Sequence, residues 1–205
     1  MPSIRIMLVF PGYIFILFCV GKVRGTEWTE AYSRNSKHVI GKSRLLATLP
    51  KLTKEWKVSF DVNPTSFSTR YSSVLHMTIG RNNARVGDRI PAIWFHAIKG
   101  VMVSSALNRK VSFNAVIKNL PRARKWTRIE VTQTLVASRY VFIITMGGKK
   151  VFTKRNTKPV ELSDVKVYAG SPWSPSQKGS LRKLKIEIKT PDTGEMHFHF
   201  WSWMC

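Results

Sequence analysis

The stretch that decides the fold runs from Trp126 to Leu184, and it begins with residues 126–148, WTRIEVTQTLVASRYVFIITMGG. Apolar and polar residues alternate twice within it, around Ile129 and around Phe142. A period of two is typical of a strand with one buried face. Gly147-Gly148 stands where a two-residue hairpin loop is expected, because both positions of such a loop favour glycine. The stretch therefore predicts paired strands.

The same pattern recurs along the preceding half of the chain. Trp56 to Val62 alternates strictly, and Ile90 to Ala97 and Val101 to Leu107 are apolar runs of strand length. Asp164 to Ala169 adds another strand. Turn residues recur about every ten positions, and sustained helical spacing is absent from the sequence. We therefore predict an all-β fold, a two-sheet antiparallel jelly-roll sandwich.

The first residues predict an export signal. Arg5 supplies a positive start, and Ile6 to Val20 is an apolar run broken only by Pro11-Gly12. The run is shorter than the roughly 20 residues that a spanning helix needs, and cleavage is expected after Gly21 or Gly25. We therefore expect a secreted, extracellular protein. Its predicted parts are a signal peptide over 1–25, an N-terminal arm or first strand over 26–53, and a β-sandwich over 54–205.

Two further predictions concern the end of the sequence. The turn signal Pro191-Asp-Thr-Gly194 predicts a hairpin that joins the strand containing Ile188 to a last strand over Glu195 to Trp203. Cys19 would leave with the signal, so Cys205 is expected to be either a free thiol or the link of a disulfide dimer.

Positive charge dominates the composition. The chain has 34 Lys and Arg against 11 Asp and Glu, a formal net charge of +23. An excess this large indicates an anionic partner, and for an exported protein we expect an anionic polysaccharide or glycoconjugate, or an anionic membrane surface, rather than nucleic acid. The residues expected to bind the ligand are Arg122, Arg124, Lys125, Lys149, Lys150, Lys154, Arg155, Lys183 and Lys185, with Trp173 as an exposed aromatic contact.

Several segments in order resemble the concanavalin A-like lectin and laminin G-like superfamily. They are Trp126-x-x-Ile-Glu-Val-x-Gln133, Gly147-Gly-Lys-Lys-Val151, Asp164-Val-Lys-Val-Tyr-Ala-Gly-Ser-Pro-Trp173 and Gly179-Ser-Leu-Arg-Lys-Leu184. The resemblance implies two sheets whose concave side and rim loops bind glycans, sometimes with Ca²⁺. The galectin pattern His-x-Asn-x-Arg is absent, since Met77 and Thr78 follow His76. The glucanase pattern Glu-x-Asp-x-x-Glu is also absent from the sequence.

Catalytic and metal-binding patterns are weak. The chain has no Gly-x-Ser-x-Gly nucleophile motif. His197 and His199 share a face of the predicted last strand but lack an evident third ligand. Asp61 with Asn63, and Asp88 in its loop, offer oxygen atoms for Ca²⁺, but turn hydrogen bonds explain such residues more simply. We therefore expect no cofactor, no metal and no enzymatic activity.

The sequence thus predicts a secreted noncatalytic module that binds anionic or other extracellular glycans through a basic surface. One alternative is a membrane-active or venom-type protein that the same positive charge draws to anionic lipid. The other is a glycan-degrading enzyme whose carboxylates come together from different strands.

Overall fold

The computed structural model describes residues 4–10, 13–19, 27–190 and 198–204, and the side chains of 27–190. The described residues form strands, turns and loops, so none of them belongs to a helix that could cross a membrane. Contacts divide the chain into two compact units, Trp28–Lys189 and a second one made of Met1–Glu27 with Thr190–Cys205.

In chain order, the described strands are β1 (Ile4–Phe10), β2 (Tyr13–Cys19), β3 (Glu27–Arg34), β4 (His38–Val39), β5 (Leu45–Leu52), β6 (Trp56–Pro64), β7 (Ser72–Thr78), β8 (Ala92–His96), β9 (Gly100–Ser105), β10 (Phe113–Ile117), β11 (Thr127–Val136), β12 (Arg139–Met146), β13 (Lys149–Asn156), β14 (Leu162–Ala169), β15 (Gly179–Thr190) and β16 (Phe198–Met204).

The larger unit is a sandwich of two antiparallel sheets, which confirms the predicted fold class. A six-stranded sheet has the order β10-β9-β8-β7-β14-β5. A seven-stranded sheet has the order β13-β12-β11-β6-β15-β3, and β4 pairs with β15. Non-consecutive strands such as β6 and β15 are neighbours, so the chain crosses repeatedly between the two layers.

The core lies between the inner faces of the sheets. Strand β6 supplies Trp56, Val58, Phe60 and Val62, all fully buried, because alternation points every second side chain inward. The other sheet faces them with apolar residues at the same period. These include Leu75, Met77, Ile93, Phe95, Val101, Val103, Val165 and Val167.

A chain of buried amides connects the sheets at one end. Gln133 donates from Nε2 to the carbonyl of Lys54 at 2.7 Å, and its Oε1 accepts from Asn156 Nδ2 at 2.7 Å. Asn156 Oδ1 in turn accepts from the backbone N–H of Asn108, in the loop between β9 and β10, at 2.9 Å. The buried polar atoms of Gln133 and Asn156 are therefore paired, as burial requires.

The segments predicted for the two ends of the chain differ from the observed strands in different ways. The segment 26–53, expected to be an arm or first strand, contributes the whole of β3, β4 and β5. Strand β16 pairs with β2 and not with β15, so the predicted C-terminal hairpin is wrong in its pairing, and its turn lies outside the described residues. The export signal overlaps β1 and β2 and remains a prediction; the cleavage positions and Cys205 also lie outside the described residues.

The two-residue loop at Gly147-Gly148 is confirmed. Met146 pairs with Lys149, and both glycines have positive φ, of 58° and 79°. The preceding hairpin has the same geometry with less suitable residues. Ala137 and Ser138 have φ of 45° and 62° between the paired residues Val136 and Arg139. The sequence carries no turn signal there, because alanine and serine rarely occupy this conformation.

His76 is fully buried on the outward side of β7, although outward-facing residues of a sheet are usually exposed. Its Nε2 lies 2.8 Å from the carbonyl oxygen of Asp88, and its Nδ1 has no partner among the described residues. Trp94 and Trp173 contact the ring, with centroids 5.6 and 5.3 Å away. Burial lowers the pKa of His76 to about 4.

We predict that the Ala137→Asn/Ser138→Gly variant is more stable by about 1–2 kcal/mol, since asparagine and glycine relieve the left-handed conformation. Urea unfolding measures the difference. The matched control, Gly147→Ala/Gly148→Ala, should lose a similar amount. Equal stabilities of the wild-type chain and the Asn-Gly variant would contradict the expectation.

The second prediction concerns pH. The unfolded chain takes up a proton on His76 near pH 6.5, whereas the folded chain resists it until about pH 4. The part of the free energy of unfolding that depends on a neutral His76 is therefore fully present above pH 6.5. It decreases by about 2 kcal/mol when the pH is lowered to 5. Urea unfolding from pH 7.5 to 5 should show this slope. The slope should be smaller in His76→Gln and should be largely kept in His38→Gln. An unchanged slope in His76→Gln would refute the assignment of the pH dependence to His76.

Candidate functional site

Asp61 is the centre of a charge cluster on the outer face of the seven-stranded sheet. It lies on β6 between the buried Phe60 and Val62, so its side chain points outward. Its Oδ1 lies 3.4 Å from Arg128 Nη1, and its Oδ2 lies 3.3 Å from Arg182 Nε. The register explains these contacts, because Asp61 is directly opposite Arg128 on β11 and Arg182 on β15.

Further contacts fix the cationic side chains. Arg128 donates from Nη2 to Ser59 Oγ at 2.7 Å and from Nη1 to the carbonyl of Lys183 at 3.2 Å. Arg182 stacks over the Trp126 ring at 4.2 Å. Lys183 lies in a bulge of β15 with φ of 49°, and its Nζ is 4.0 Å from Asp61 Oδ2. One carboxylate is thus shared by three cations, and positive charge remains in excess.

Lys185 extends the cluster along β15. Its Nζ donates to Glu187 Oε1 at 2.8 Å and lies 3.9 Å from Glu30 Oε2. The hydrogen bond to Glu187 raises the pKa of Lys185. Alternation along β15 places Lys185 outward, since its neighbours Leu184 and Ile186 are buried.

These residues surround an open recess of about 450 Å³, which we call the basic recess. It presents cationic groups, one carboxylate and polar side chains from the end of β3 and the loop after it. Its lining residues are Ser33, Asn35, Asp61, Arg128, Lys183 and Lys185.

Most of the predicted binding residues lie at the end of the sheet where Asp61 lies. The loop before β11 is held there by the hydrogen bond from the Arg124 N–H to the Pro64 carbonyl, 2.6 Å long. Strand β13 also begins at this end, because its first residue pairs with Met146. None of the described carboxylates lies within 4.0 Å of the nitrogen atoms of five of these cations. They are Arg122, Arg124, Lys125, Lys149 and Lys150.

Two predicted cations are not part of this group. Lys154 pairs with the buried Phe142, so it points toward the other sheet, and its Nζ lies over the Phe113 ring at 4.9 Å. Arg155 faces outward beside Val141, but five residues from Lys150 along β13, or about 17 Å. Lys154 and Arg155 therefore do not lie with the other predicted cations, and their role in binding remains a prediction.

Trp173 packs against the other, six-stranded sheet. It lies in the loop between β14 and β15, 41% exposed, and contacts His76 of β7 and Tyr168 of β14. Both partners lie on strands of the six-stranded sheet, so Trp173 does not join the basic recess.

Calcium is not favoured at Asp61 or Asp88, the two positions that offer oxygen ligands in the sequence. Both carboxylate oxygens of Asp61 already contact arginine side chains. Asp88 is fully buried, and its Oδ2 accepts from the N–H groups of Ala84 and Arg85 at 2.7 and 2.8 Å, a turn-closing role. The Asn82 oxygens accept from Arg89. Within residues 27–190, no three His, Cys, Asp or Glu side chains are grouped as metal ligands would be, and the His197 and His199 side chains lie outside those described.

The register also brings two carboxylates near each other. Glu130 is opposite Ser59, so it is a diagonal neighbour of Asp61, with Cα atoms about 7–8 Å apart. The two carboxyl groups of a glycosidase lie about 5–9.5 Å apart, and side chains on neighbouring strands can provide such a distance. Both oxygens of Asp61, however, contact guanidinium groups, which favours a binding role for this carboxylate.

The sequence analysis missed the residues that organise the recess. Arg128, Arg182 and Trp126 were not among the predicted contacts, and Asp61 was considered only as a calcium ligand. The alternation of β6 was the one sequence signal that could have indicated Asp61 as a surface residue, because it places this side chain outward. Its partners could not be identified, because strand order alone decides that β11 and β15 flank β6.

Comparison with known proteins identifies the fold and not a family. No protein-family model matches the chain, and no curated protein matches its sequence. Solved structures do match. Domain 4 of AbnA, a GH43 extracellular arabinanase from Geobacillus stearothermophilus, in complex with arabinotriose, has a TM-score of 0.51 and 16% identity over 85% of this chain and 88% of that one.

Two other structures are similar at the same level. The heptameric SAP-like pentraxin from Limulus polyphemus has a TM-score of 0.50 and 12% identity, and covers 90% of this chain and 97% of its own. The binding domain of botulinum neurotoxin DC in complex with SialylT has a TM-score of 0.50 and 10% identity, over 92% of this chain and 48% of that one. The chain therefore has the jelly-roll, lectin-like fold that its resemblance to the concanavalin A-like superfamily predicts.

Proposed function

We propose that the sandwich is a noncatalytic module that binds an anionic extracellular glycan at the basic recess and at a neighbouring rim of cations. The rim consists of Arg122, Arg124, Lys125, Lys149 and Lys150. The observation that carries the proposal is the distribution of charge around Asp61. Three cations share this carboxylate, while the cations of the rim lack a described carboxylate partner.

The recess has the mixture of groups that an acidic sugar requires. Lys183 and the rim arginines can pair with a sulfate or carboxylate, the arginines in forked geometry. Ser33 and Asn35 offer polar groups to sugar hydroxyls. Asp61 holds Arg128 and Arg182 in place, so these side chains lose little conformational freedom when a ligand binds.

The fold supports this class of function. The arabinanase domain carries arabinotriose, so a similar sandwich binds carbohydrate in another protein. The contacts of Asp61 support binding rather than hydrolysis, because a general acid or nucleophile needs a free carboxyl oxygen.

We further propose that the module acts outside the cell, where sulfated and acidic polysaccharides are abundant partners for a basic surface. The support is the apolar run Ile6 to Val20 with Arg5 before it.

Charge removal at the rim tests the proposal. The variant Arg122→Gln/Lys125→Gln should bind heparin about 3- to 10-fold more weakly, because exposed ion pairs contribute about 0.2–1 kcal/mol each. The affinity should also depend less steeply on salt concentration. Isothermal titration at two salt concentrations measures both quantities.

The matched control removes two exposed cations from the loop between β9 and β10 of the six-stranded sheet, as Arg109→Gln/Lys110→Gln. It has the same net charge and should bind heparin nearly as the wild-type chain does. Equal losses in the two variants would mean general attraction without a site, and elution from heparin at the salt concentration of a plain cation exchanger would count against the proposal.

A further inference from the structure

A second recess, of about 350 Å³, lies where β6 ends and β15 begins, and we call it the serine recess. One wall is the segment between β6 and β7, and the other is the segment that leads into β15. The residues that line it include serines and one lysine but no carboxylate, so it offers hydroxyl groups and a cation to a ligand. They are Ser66, Phe67, Ser68, Ser72, Pro175, Ser176, Gln177 and Lys178.

Gln177 joins the two walls of the serine recess. This residue is 1% exposed, and its Oε1 accepts a hydrogen bond from Ser72 Oγ at 2.7 Å. Its Nε2 donates to the backbone carbonyls of Ser66 and Lys178. The amide of Gln177 is therefore used within the protein, and the walls are already held in place before a ligand binds.

Ser68 is anchored in the same way and keeps a hydroxyl proton for a ligand. Its carbonyl accepts from the N–H of Ala97 at 2.8 Å, which fixes the segment against the end of β8. Its Oγ accepts from the N–H of Arg70 at 3.0 Å. Because a hydroxyl group both accepts and donates, Ser68 can still donate its proton to an anionic oxygen.

The same pair of neighbouring segments carries both recesses. Asp61 of the basic recess is five positions before Ser66, and Lys178 is five positions before Lys183 of the basic recess. The N–H of Thr65 donates to the Lys178 carbonyl at 3.0 Å, so the pairing of β6 with β15 continues as far as the serine recess. Five residues of an extended strand span at most about 17 Å, which is therefore the distance between the recesses along these strands.

Cationic side chains continue from one recess to the other. Arg182 is opposite Asp61 on β15, its guanidinium stacks over the Trp126 ring at 4.2 Å, and 36% of its side chain is exposed. The loop before β11 reaches the same end of the sheet, because the N–H of Arg124 donates to the Pro64 carbonyl at 2.6 Å. A ligand that leaves the basic recess along β15 therefore meets further positive charge.

The segments around the two recesses contain no acidic residue. Residues 62–72, 121–128 and 171–184 include eight Lys and Arg and no Asp or Glu. Three of the eight contact Asp61, and none of the described carboxylates lies within 4.0 Å of the nitrogen atoms of the other five. The five are Arg70, Arg122, Arg124, Lys125 and Lys178.

We propose that the serine recess is a second subsite for the acidic polysaccharide of the basic recess, so that one polysaccharide chain occupies both recesses and long chains are preferred to short ones. The inference rests on the proposed function, because it extends the site of the same ligand. Lys178 pairs with a sulfate or carboxylate, and the exposed serines donate hydrogen bonds to it. Once the basic recess is occupied, the second contact is intramolecular, which strengthens the binding of any chain long enough to span both recesses.

Heparin oligosaccharides of two lengths test the second subsite on the full protein chain. Isothermal titration should show that the dodecasaccharide binds at least about tenfold more tightly than the tetrasaccharide. In nuclear magnetic resonance spectra of the ¹⁵N-labelled protein, the dodecasaccharide should shift the amides of 66–68 and 176–178 together with those of 183–185. The tetrasaccharide should shift mainly the amides of 183–185.

The variant Ser66→Glu/Lys178→Gln puts negative charge into the serine recess and removes its cation, but it keeps the backbone carbonyls that Gln177 uses. It should bind the dodecasaccharide about tenfold more weakly and the tetrasaccharide as the unaltered chain does. The matched control Arg109→Gln/Lys110→Gln has the same net charge and should keep both affinities. Lys178→Gln alone, with an exposed side chain, should weaken dodecasaccharide binding about 2- to 5-fold even if the double variant melts at a lower temperature.

The second subsite is refuted if these two serine-recess variants bind the dodecasaccharide as the unaltered chain does, or if they lose affinity for both oligosaccharides by the same factor. Either result leaves the proposed function standing, provided that Arg122→Gln/Lys125→Gln weakens binding of the tetrasaccharide. Unchanged binding of both oligosaccharides by that rim variant would refute the proposed function, and the second subsite with it.

Discussion

The alternation of strand β6 is the constraint on which both the sandwich and the basic recess depend. Trp56, Val58, Phe60 and Val62 are fully buried, so the side chains between them must face outward. A slip of one residue would expose the four apolar side chains and bury Asp61 without its partners. Pairing with β11 on one side and β15 on the other fixes this register. The hydrophobic core therefore determines where the charged cluster is built.

The positive charge of the chain is large, and part of it is arranged around one carboxylate. Asp61 draws Arg128 and Arg182 together, and the loop before β11 adds cations at the same end of the sheet. The opposite face of the sandwich has a different chemistry, with Trp173 in contact with the buried ring of His76. A two-layer sandwich exposes two outer faces, and in this chain the charged cluster around Asp61 lies on one of them and the ring contacts of Trp173 lie on the other.

The sequence predicted most strands because one-sided burial leaves a period of two, which is visible in β6, β11, β12 and β15. It predicted the Gly147-Gly148 loop for a local reason, positive φ at both positions. The Ala137-Ser138 loop has the same geometry but no local signal. Strand β16 was assigned to the wrong neighbour, since a turn motif indicates a bend and does not determine which edge accepts the strand. The outward residues of β13 could not be identified from the sequence, because the bulge after Ile144 interrupts the alternation of that strand.

By itself the sequence determined the all-β class, the alternating faces and the excess of positive charge, because each is a property of neighbouring residues or of composition. The tertiary structure alone decided that Asp61 meets Arg128 and Arg182, 67 and 121 positions away. It also decided that Trp173 lies over His76 and not among the cations. The physical reason is that strand order brings distant segments side by side, and contacts across strands depend on that order rather than on local sequence.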